Sequence, residues 1–408
     1  MPLEIVVNDA RDIKKTKTRL EEEGLFVKPI YRDGELSIIK TKIESQDILE
    51  GMFPRMKFRH YLLDGKSNES NNMEEPRDIL TFTKNYFRTT LTDEDMETLL
   101  DHVPLKYSIY PPILLLNNSE KRSFQNEAFQ MILVKNNVNV NKFYTELLKF
   151  LRVKFIFANK PILNQDVLRQ PHNLVRLFSL DDSVRDESIW CELKQNGIWQ
   201  VWNPCFTMFS RGNVKEKKRV LDTFEDIKGN DVVDLYCGIG YFSFSYLKRG
   251  CRYFFGFDLN QWSINGFHKG LQLNKLDKGS SCYVFQETNE MSLSRIAHFR
   301  ETQNNNALLR IRHINLGLLP SSKQGWPVAL NLISQHHDWE SCPKVTLHIH
   351  ENVHSEAIND NSFARSTVQT LQTLNALYQY TDTHLERIKT FAPDVWHVCL
   401  DIDVSLSA

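Results

Sequence analysis

The alternation of strand-like and helix-like segments from about residue 219 onward constrains the fold more than any other feature of the chain. Short apolar runs, among them "DVVDLYCG", "YFFGFDL", "SCYVFQE" and "VTLHIHENV", are each followed by a helix-like stretch, the last of them predicted between residues 361 and 384. Because strands that alternate with helices usually pair in parallel, the pattern predicts an α/β, doubly wound sheet. The final segment predicts a hairpin around Pro393–Asp394, and therefore an antiparallel edge.

The first half of the chain lacks this rhythm and predicts two smaller α+β domains. Residues 1–100 open with the strand-like "LEIVV", a charged helix that ends near Gly24 and two further strands. Residues 64–77 are polar and predict a linker. Residues 101–210 combine a helical stretch with several short strands, and residues 211–408 carry the alternating pattern. The sequence therefore predicts three domains with these boundaries.

Charge and cysteine usage narrow the class of protein. The formal net charge is −1, so a nucleic acid would have to be bound by local basic patches and not by a global field. The seven cysteines include no CxxC pair, which argues against a disulfide framework and against zinc. The N terminus is too charged for a signal peptide, and no apolar run is long enough to span a bilayer. We therefore expect a cytoplasmic protein.

The stretch "VVDLYCGIGYFSF", residues 232–244, is the strongest indication of a ligand site. Gly238 and Gly240 stand where the first strand turns into a helix, and glycine permits positive φ angles and a close approach of ligand to backbone. Asp234 belongs to the same strand end, and the second strand ends at Asp258, where a carboxylate can accept both hydroxyls of a ribose. The alternative is a tight turn with a helix-capping aspartate and no ligand.

The same turn indicates which nucleotide it would bind. Ser243 occupies the place of the third glycine of a GxGxxG motif, and the chain has no GxxxxGK[ST] sequence. Dinucleotides and nucleoside triphosphates are therefore disfavoured. A small adenosine ligand without a pyrophosphate is favoured, and S-adenosylmethionine is the foremost candidate.

A basic segment, "MFSRGNVKEKKRV" at residues 208–220, lies directly upstream of the turn. It can be a solvated helix start, with Asn213 as N-cap and Glu216 completing a capping box. Its flexible, glycine-containing beginning beside the predicted pocket favours a second interpretation. In that interpretation Ser210 and Lys217 reach a ligand carboxylate, and the other cations of the segment meet phosphates.

Two further stretches belong to the same domain. The fourth strand ends at Asn315 and continues into "LGLLPSSKQGWP", which is either a plain loop or a substrate-holding loop in which Pro320 or Trp326 stacks on a base. His348 and His350 alternate on one strand face. Without supporting carboxylate or cysteine spacing they indicate structural histidines rather than a metal site.

Four segments, "MFSRGNVKEK", "VVDLYCGIGYFS", "NLGLLPSSKQGWP" and "LHIHENV", together resemble the tRNA wybutosine-synthesizing protein 2 family in order and approximate spacing. The resemblance covers residues 170–408 best. It implies a Rossmann-like methyltransferase fold with a mostly parallel seven-stranded sheet, and a middle domain that contacts tRNA. It also implies transfer of the 3-amino-3-carboxypropyl group of S-adenosylmethionine, a co-substrate, to C7 of 4-demethylwyosine beside the anticodon of phenylalanine tRNA, with release of methylthioadenosine.

The resemblance also implies which residues bind the cofactor. Ser210 and Lys217 take positions that contact it in the family. Asp258 stands where the family usually has glutamate, and Glu287 and Thr288 stand where an aspartate–asparagine pair faces the adenine. The expected cofactor-binding residues are Ser210, Lys217, Asp234, Gly238, Gly240, Asp258, Glu287 and Thr288.

No catalytic acid or base follows from the resemblance, and no metal is expected. Asn315 and Pro320 are candidates for positioning the reacting groups. The family often has an acidic residue shortly before this asparagine, where the present chain has "RIRH". Because a sulfonium makes three neighbouring carbons electrophilic, the orientation of the ligand can decide which carbon reacts.

Binding of tRNA requires local positive charge. The candidate patches are Lys14, Lys15, Lys17 and Arg19; Arg55, Lys57 and Arg59; and the basic cluster at residues 211–219. We expect a monomer that binds the anticodon region of phenylalanine tRNA, and neither DNA nor a membrane. Two alternatives remain open, a tRNA guanine-N1 methyltransferase with the same fold and a catalytically silent tRNA-binding protein.

Overall fold

The structure is a computed structural model that describes residues 3–7, 10–33, 36–54, 56–60, 78–117, 119–159, 170–171, 174–277 and 281–407. The chain divides into two compact units, Met1–Glu75 and Pro76–Ala408. Arg55 of the second candidate tRNA patch and the predicted linker at residues 64–77 lie outside the described residues.

The first unit is an antiparallel sheet that shares one core with two helices. Its elements are β1 (Leu3–Val7), α1 (Ala10–Glu22), β2 (Phe26–Asp33), β3 (Leu36–Thr41), α2 (Gln46–Met52) and β4 (Lys57–His60), in the sheet order β2-β3-β1-β4. Leu20 of α1 and Leu49 of α2 are fully buried in the core that contains Ile5 and Ile39. The predicted strand–helix–strand–strand order is confirmed, with a positive φ at Gly24 after the helix.

The second unit begins with helices and short strands that precede the large sheet. Its first elements are α3 (Ile79–Phe87), α4 (Asp93–His102), β5 (Tyr107–Tyr110), β6 (Ile113–Leu116), α5 (Glu127–Lys135), α6 (Val140–Leu151), β7 (Phe155–Ala158), β8 (Val175–Ser179), β9 (Cys191–Gln195) and β10 (Ile198–Trp202). Strands β5 to β8 form one sheet in chain order, and β9 and β10 form a hairpin. Ile79, Phe87 and Leu99 pack into the same core as Leu114 and Ile156. Domain boundaries at residues 100 and 210 stay a prediction.

The rest of the second unit is the doubly wound part. Its elements are α7 (Val214–Asp222), β11 (Asp231–Asp234), α8 (Ser243–Lys248), β12 (Phe254–Phe257), α9 (Gln261–Leu273), β13 (Cys282–Phe285), α10 (Ser292–Gln303), β14 (Ile311–Leu316), α11 (Trp326–His336), β15 (Val345–His354), α12 (Ser355–Asn359), α13 (Ser362–Leu374), β16 (Tyr378–Ala392) and β17 (Val395–Leu406). The seven-stranded sheet has the order β13-β12-β11-β14-β15-β17-β16, parallel from β13 to β15 and antiparallel beyond. The predicted mostly parallel α/β sheet with an antiparallel edge is confirmed.

Both faces of the central strand β11 are covered, which explains its continuous apolar sequence. Val232 packs on one side in the core that contains Phe244 and Phe267, and Val233 packs on the other side with Leu330 of α11. Parallel strands between two helical layers have no solvent-facing side. Asp234 at the end of this strand is therefore fully buried and needs partners inside the protein.

The helix predicted between residues 361 and 384 is shorter than expected. Helix α13 ends at Leu374, Asn375 takes an extended conformation, and β16 begins at Tyr378. Tyr378 and Tyr380 are buried while Gln379 between them is exposed. The prediction was wrong for residues 378–384, because this period-two pattern of a strand was read as part of a helical period.

Candidate active site

A cavity of about 1260 Å³ opens at the carboxyl ends of the parallel strands β11, β12, β13 and β14. The loops after these strands, the segment before α7 and the β16–β17 hairpin supply its wall. Ligands of doubly wound sheets bind at this edge. Of the predicted site residues, Ser210, Gly238, Asp258, Glu287, Thr288 and Pro320 lie on the wall. Lys217, Asp234, Gly240 and Asn315 lie behind it.

The glycine turn and Asp258 form one hydrogen-bonded unit on the wall. The Gly238 N–H donates to Oδ2 of Asp258 at 3.1 Å, and the Asn260 N–H donates to Oδ1 at 2.8 Å. Both glycines of the turn have positive φ, and a Cβ at Gly240 would lie 2.7 Å from the ring of Phe244. Burial raises the pKa of Asp258 to about 6, and the two backbone donors oppose that rise. The carboxylate is therefore held in a fixed orientation, with lone pairs left for ligand hydroxyls.

Asp234 and Asn315 support the turn from below. Asp234 accepts hydrogen bonds from Asn315 Nδ2 at 3.0 Å and from Ser243 Oγ at 2.9 Å. The Tyr236 N–H adds a third at 3.3 Å. Burial raises the pKa of Asp234 to about 6, and these donors limit the rise. Because both carboxylate oxygens are engaged, the pair fixes the ends of β11 and β14, and its contact with a ligand stays a prediction.

Glu287 and Thr288 lie on the wall just after β13. Both Glu287 oxygens accept from the Arg295 guanidinium, one of them at 2.9 Å, and this pairing lowers the pKa of Glu287. Thr288 Oγ1 accepts the Glu290 N–H at 3.1 Å and caps a short 3-10 helix. A hydroxyl beside an ion-paired carboxylate can hydrogen-bond the polar edge of an adenine. That contact stays a prediction.

The basic segment at residues 208–220 is solvated only in part, because Arg211, Lys215 and Lys218 are exposed whereas two of its charged residues are buried. Glu216 and Lys217 are 1% and 3% exposed, and Glu216 forms an ion pair with Arg219. The Asn213 side chain does not cap the helix and instead accepts from Ser210 Oγ at 3.1 Å. The predicted capping box is therefore wrong, because the glutamate that would complete it is turned inward to neutralise a buried cation.

Lys217 lies behind the wall, with its ammonium 5.1 Å from the centroid of the Tyr241 ring. It donates to Gln195 Oε1 at 2.9 Å and to Gln200 Oε1. Burial, together with the positive charge of Lys389, lowers the pKa of Lys217 to about 7. A direct contact between Lys217 and the cofactor stays a prediction, and it would require the two amides to release the ammonium.

The loop after β14 is held by a buried carboxylate that sequence analysis did not single out. Glu351 Oε1 accepts from Ser321 Oγ at 3.0 Å and from the Ser322 N–H at 2.8 Å, which fixes the loop that carries Pro320. Trp326 is 1% exposed, and its Nε1 donates to Ser322 Oγ at 3.3 Å. Stacking of Trp326 on a base is therefore a wrong prediction, because α11 turns the indole into the core.

Two side chains on the wall carry buried polar atoms without a hydrogen-bond partner among the described residues. They are Thr207 through Oγ1 and Asn352 through both amide atoms. Leaving a buried polar group unpaired costs about 1–3 kcal/mol, so each marks a place that a ligand can satisfy. Sequence analysis missed both, although Asn352 belongs to the motif "LHIHENV".

Comparisons with known proteins agree with this geometry. Residues 192–297 match the family model described as the TRM5/TYW2 methyltransferase domain. The chain is 44% identical to tRNA wybutosine-synthesizing protein 2 of Saccharomyces cerevisiae, over 100% of this chain and 99% of that protein. The chain belongs to the tRNA wybutosine-synthesizing protein 2 family.

A second member of the tRNA wybutosine-synthesizing protein 2 family and a solved structure are also similar to this chain. The protein from Schizosaccharomyces pombe is 32% identical over 80% of this chain and 77% of its own length. The crystal structure of Pyrococcus horikoshii TYW2 in complex with MeSAdo has a TM-score of 0.56 and 18% identity, over 81% of this chain and 100% of that chain. The family suspected from four sequence segments and its Rossmann-like fold are confirmed.

This family member also contains a buried polar network under the antiparallel strands. His348 Nδ1 lies 2.7 Å from Asp401 Oδ1, and Arg219 donates to Asp401 Oδ2 and to Glu216 Oε1, both at 2.6 Å. Two sets of side chains have the proximity of metal ligands, namely Glu216, His350 and Cys399, and His348, Cys399 and Asp401. Because Arg219 donates hydrogen bonds to both carboxylates, the network can be structural, and the expectation of no metal stays a prediction.

Proposed function

We propose that this chain transfers the 3-amino-3-carboxypropyl group of S-adenosylmethionine to C7 of 4-demethylwyosine in phenylalanine tRNA. As a member of the tRNA wybutosine-synthesizing protein 2 family, it is an S-adenosylmethionine-dependent transferase of wybutosine biosynthesis. The observation that carries the proposal is the fixed Asp258 carboxylate beside the glycine turn, in a chain that matches the yeast protein over its full length.

The cavity is larger than one small ligand requires. Its volume of about 1260 Å³ exceeds the roughly 300–1,000 Å³ that a single small molecule usually occupies. In the proposal, Asp258 accepts the ribose hydroxyls of the cofactor and Thr288 hydrogen-bonds its adenine. The unpaired amide of Asn352 offers a donor and an acceptor of the kind that a purine edge requires.

The residues of the chain contribute mainly by holding the two reactants in one orientation. The sulfonium of S-adenosylmethionine supplies the electrophilic carbons. Asp258 fixes the nucleoside, and the loop that Glu351 holds keeps Pro320 in place on the wall. Asn315 acts indirectly, because its amide holds Asp234 below the turn. Orientation of this kind contributes roughly 7–11 kcal/mol in favourable cases. As the bond to C7 forms, the bond to sulfur breaks to release methylthioadenosine and the C7 proton is lost to water, and no side chain is assigned as its general base.

The proposed partner is the anticodon region of tRNA, bound by a cytoplasmic monomer. Lys14 and Lys15 are exposed on α1, whereas Lys17 pairs with Glu21 at 3.5 Å. Exposed lysines of this kind are suited to phosphates. Within the part of the chain that the structure describes, no helix combines the length and the apolar character that crossing a membrane requires.

The test is a labelling experiment with tRNA that carries 4-demethylwyosine. S-adenosylmethionine is labelled in either the carboxyl or the methyl group, and tRNA with unmodified guanosine is the control. We expect carboxyl label in the modified tRNA and methyl label in methylthioadenosine. Methyl label in RNA with release of S-adenosylhomocysteine would identify a tRNA methyltransferase. Binding of tRNA without incorporation of either label would identify a silent RNA-binding protein.

A further inference from the structure

Lys389 is a cation on the cavity wall that sequence analysis did not single out. It lies on β16 close to the hairpin, and its Nζ donates to Ser210 Oγ at 3.1 Å. Among the described residues, no carboxylate forms an ion pair with it. Burial lowers the pKa of Lys389, as expected for an ammonium that is desolvated without a counter-ion. The site therefore has a positive charge and lacks the anion that would balance it.

The backbone around Lys389 is shaped to let the side chain reach the wall. A Cβ at Gly212 would lie 2.5 Å from Lys389 Cδ, so the aliphatic part of the lysine crosses directly over this glycine. The ammonium of Lys217 lies close enough for the charge of Lys389 to lower its pKa. The Lys389 ammonium beside the Ser210 hydroxyl forms a site suited to an anion.

The anion site is joined to the ribose clamp through a single aromatic ring. Gly238, which donates to Asp258, would contact the Tyr241 ring at 3.0 Å if it carried a Cβ. At the other end of that ring, Tyr241 Oη accepts from the Ser210 N–H at 3.3 Å. Ser210 in turn contacts Lys389. A nucleoside bound at Asp258 can therefore extend an arm along Tyr241 towards Lys389.

We propose that Lys389, together with Ser210, binds the carboxylate of the aminocarboxypropyl arm of S-adenosylmethionine and so sets the direction of that arm. This inference rests on the proposed function and specifies how the same site recognises its cofactor. A charge-assisted hydrogen bond is stronger than a neutral one, so this contact would favour ligands that carry the arm. An RNA phosphate is the competing anion, and the experiment separates the two.

The test compares two ligands by calorimetric titration. S-adenosylmethionine carries the arm, and methylthioadenosine has the same nucleoside without the carboxylate. We expect Lys389→Met to weaken S-adenosylmethionine binding by about 10- to 100-fold and to leave methylthioadenosine binding unchanged. Gly212→Ala should act in the same way, because its Cβ would displace the lysine and keep the charge. Arg387→Met is the control, since Arg387 lies on the same strand and bonds Asn359 outside the cavity.

Two results would overturn the proposal. Equal losses for both ligands in Lys389→Met and Gly212→Ala would mean that the variants disturb the whole pocket. Unchanged S-adenosylmethionine affinity with weaker, salt-sensitive tRNA binding would assign Lys389 to a phosphate. A wild-type protein that shows the expected ligand preference but transfers methyl groups would refute the proposed function and leave the role of Lys389 intact.

Discussion

The parallel rim of the large sheet and its antiparallel end differ in how they hold buried carboxylates. At the rim, burial raises the pKa of Asp258 to about 6, and no cation among the described residues forms an ion pair with this carboxylate. At the antiparallel end, burial alone would raise the pKa of Asp401, but His348 and Arg219 outweigh it and hold that pKa well below its ordinary value.

This difference distinguishes buried groups that bind a ligand from buried groups that stabilise the fold. An unpaired buried group costs folding free energy until a ligand satisfies it, whereas a buried charge that has lost its partner destabilises the fold itself. Substitutions at the antiparallel end should therefore change the free energy of unfolding, and substitutions at the rim should change ligand affinity.

The largest expected effect is on stability, from Arg219→Met. The variant leaves the carboxylates of Glu216 and Asp401 buried without their cation, and breaking a buried pair in this way costs about 3–5 kcal/mol. Chemical denaturation measures the loss. Lys218→Met on the same helix is the control, because Lys218 pairs with the partly exposed Asp222 and should matter little. Similar small losses in both variants would contradict the comparison.

The next effect is on affinity, from Asp258→Asn. We expect binding of S-adenosylmethionine to weaken by roughly 10- to 100-fold, because an amide cannot accept both ribose hydroxyls as a carboxylate does. The free energy of unfolding should change much less than in Arg219→Met. Titration calorimetry and denaturation of the same preparations give both values, with the exposed Asp382→Asn as control. A large loss of stability with unchanged affinity would place Asp258 among the structural groups.

The local parts of the site could be predicted from sequence, and the parts assembled from distant segments could not. Gly238, Gly240 and Asp258 follow directly from the βα units that carry them. Lys389 reaches the wall because β17 lies antiparallel between β15 and β16, which brings the hairpin to the segment before α7. The sequence predicts the hairpin but not this placement. Lys217 shows a second limit of sequence-based prediction. A run of lysines predicts exposed side chains, whereas the fold buries Lys217.

The motif "LHIHENV" illustrates the same limit within a single strand. It was interpreted through its histidines, which belong to the buried network. The residues that act on the cavity are Glu351, which holds the loop after β14, and Asn352, which faces the wall. Glu351 and Asn352 are adjacent and point to opposite faces of β15, so alternation does not say which residues at this strand end act on the cavity.

A smaller effect is expected from pH. Since the pKa of Asp258 is raised to about 6, the carboxylate is charged at pH 7 and becomes protonated as the pH falls below that value. Affinity for S-adenosylmethionine should fall between pH 7 and pH 5 by at most about tenfold per pH unit. Asp234 titrates in the same range, so Asp258→Asn is the necessary comparison. The decline should disappear in this variant, and an unchanged decline would assign the titration to Asp234.

The smallest expected effect is on tRNA affinity. It compares lysines of α1 without a carboxylate partner among the described residues with a lysine of α1 that has one. Lys14 and Lys15 are exposed and have no carboxylate partner among the described residues, whereas Lys17 pairs with Glu21. If α1 contacts phosphates, Lys14→Gln should weaken tRNA binding a few-fold and lower the slope of log affinity against log salt by about one. Lys17→Gln should change that slope less, because its charge is already balanced. The loss of a phosphate contact reduces the number of counterions released and therefore lowers the slope of log affinity against log salt. Equal slopes in wild type and Lys14→Gln would show that Lys14 of α1 does not contact a phosphate.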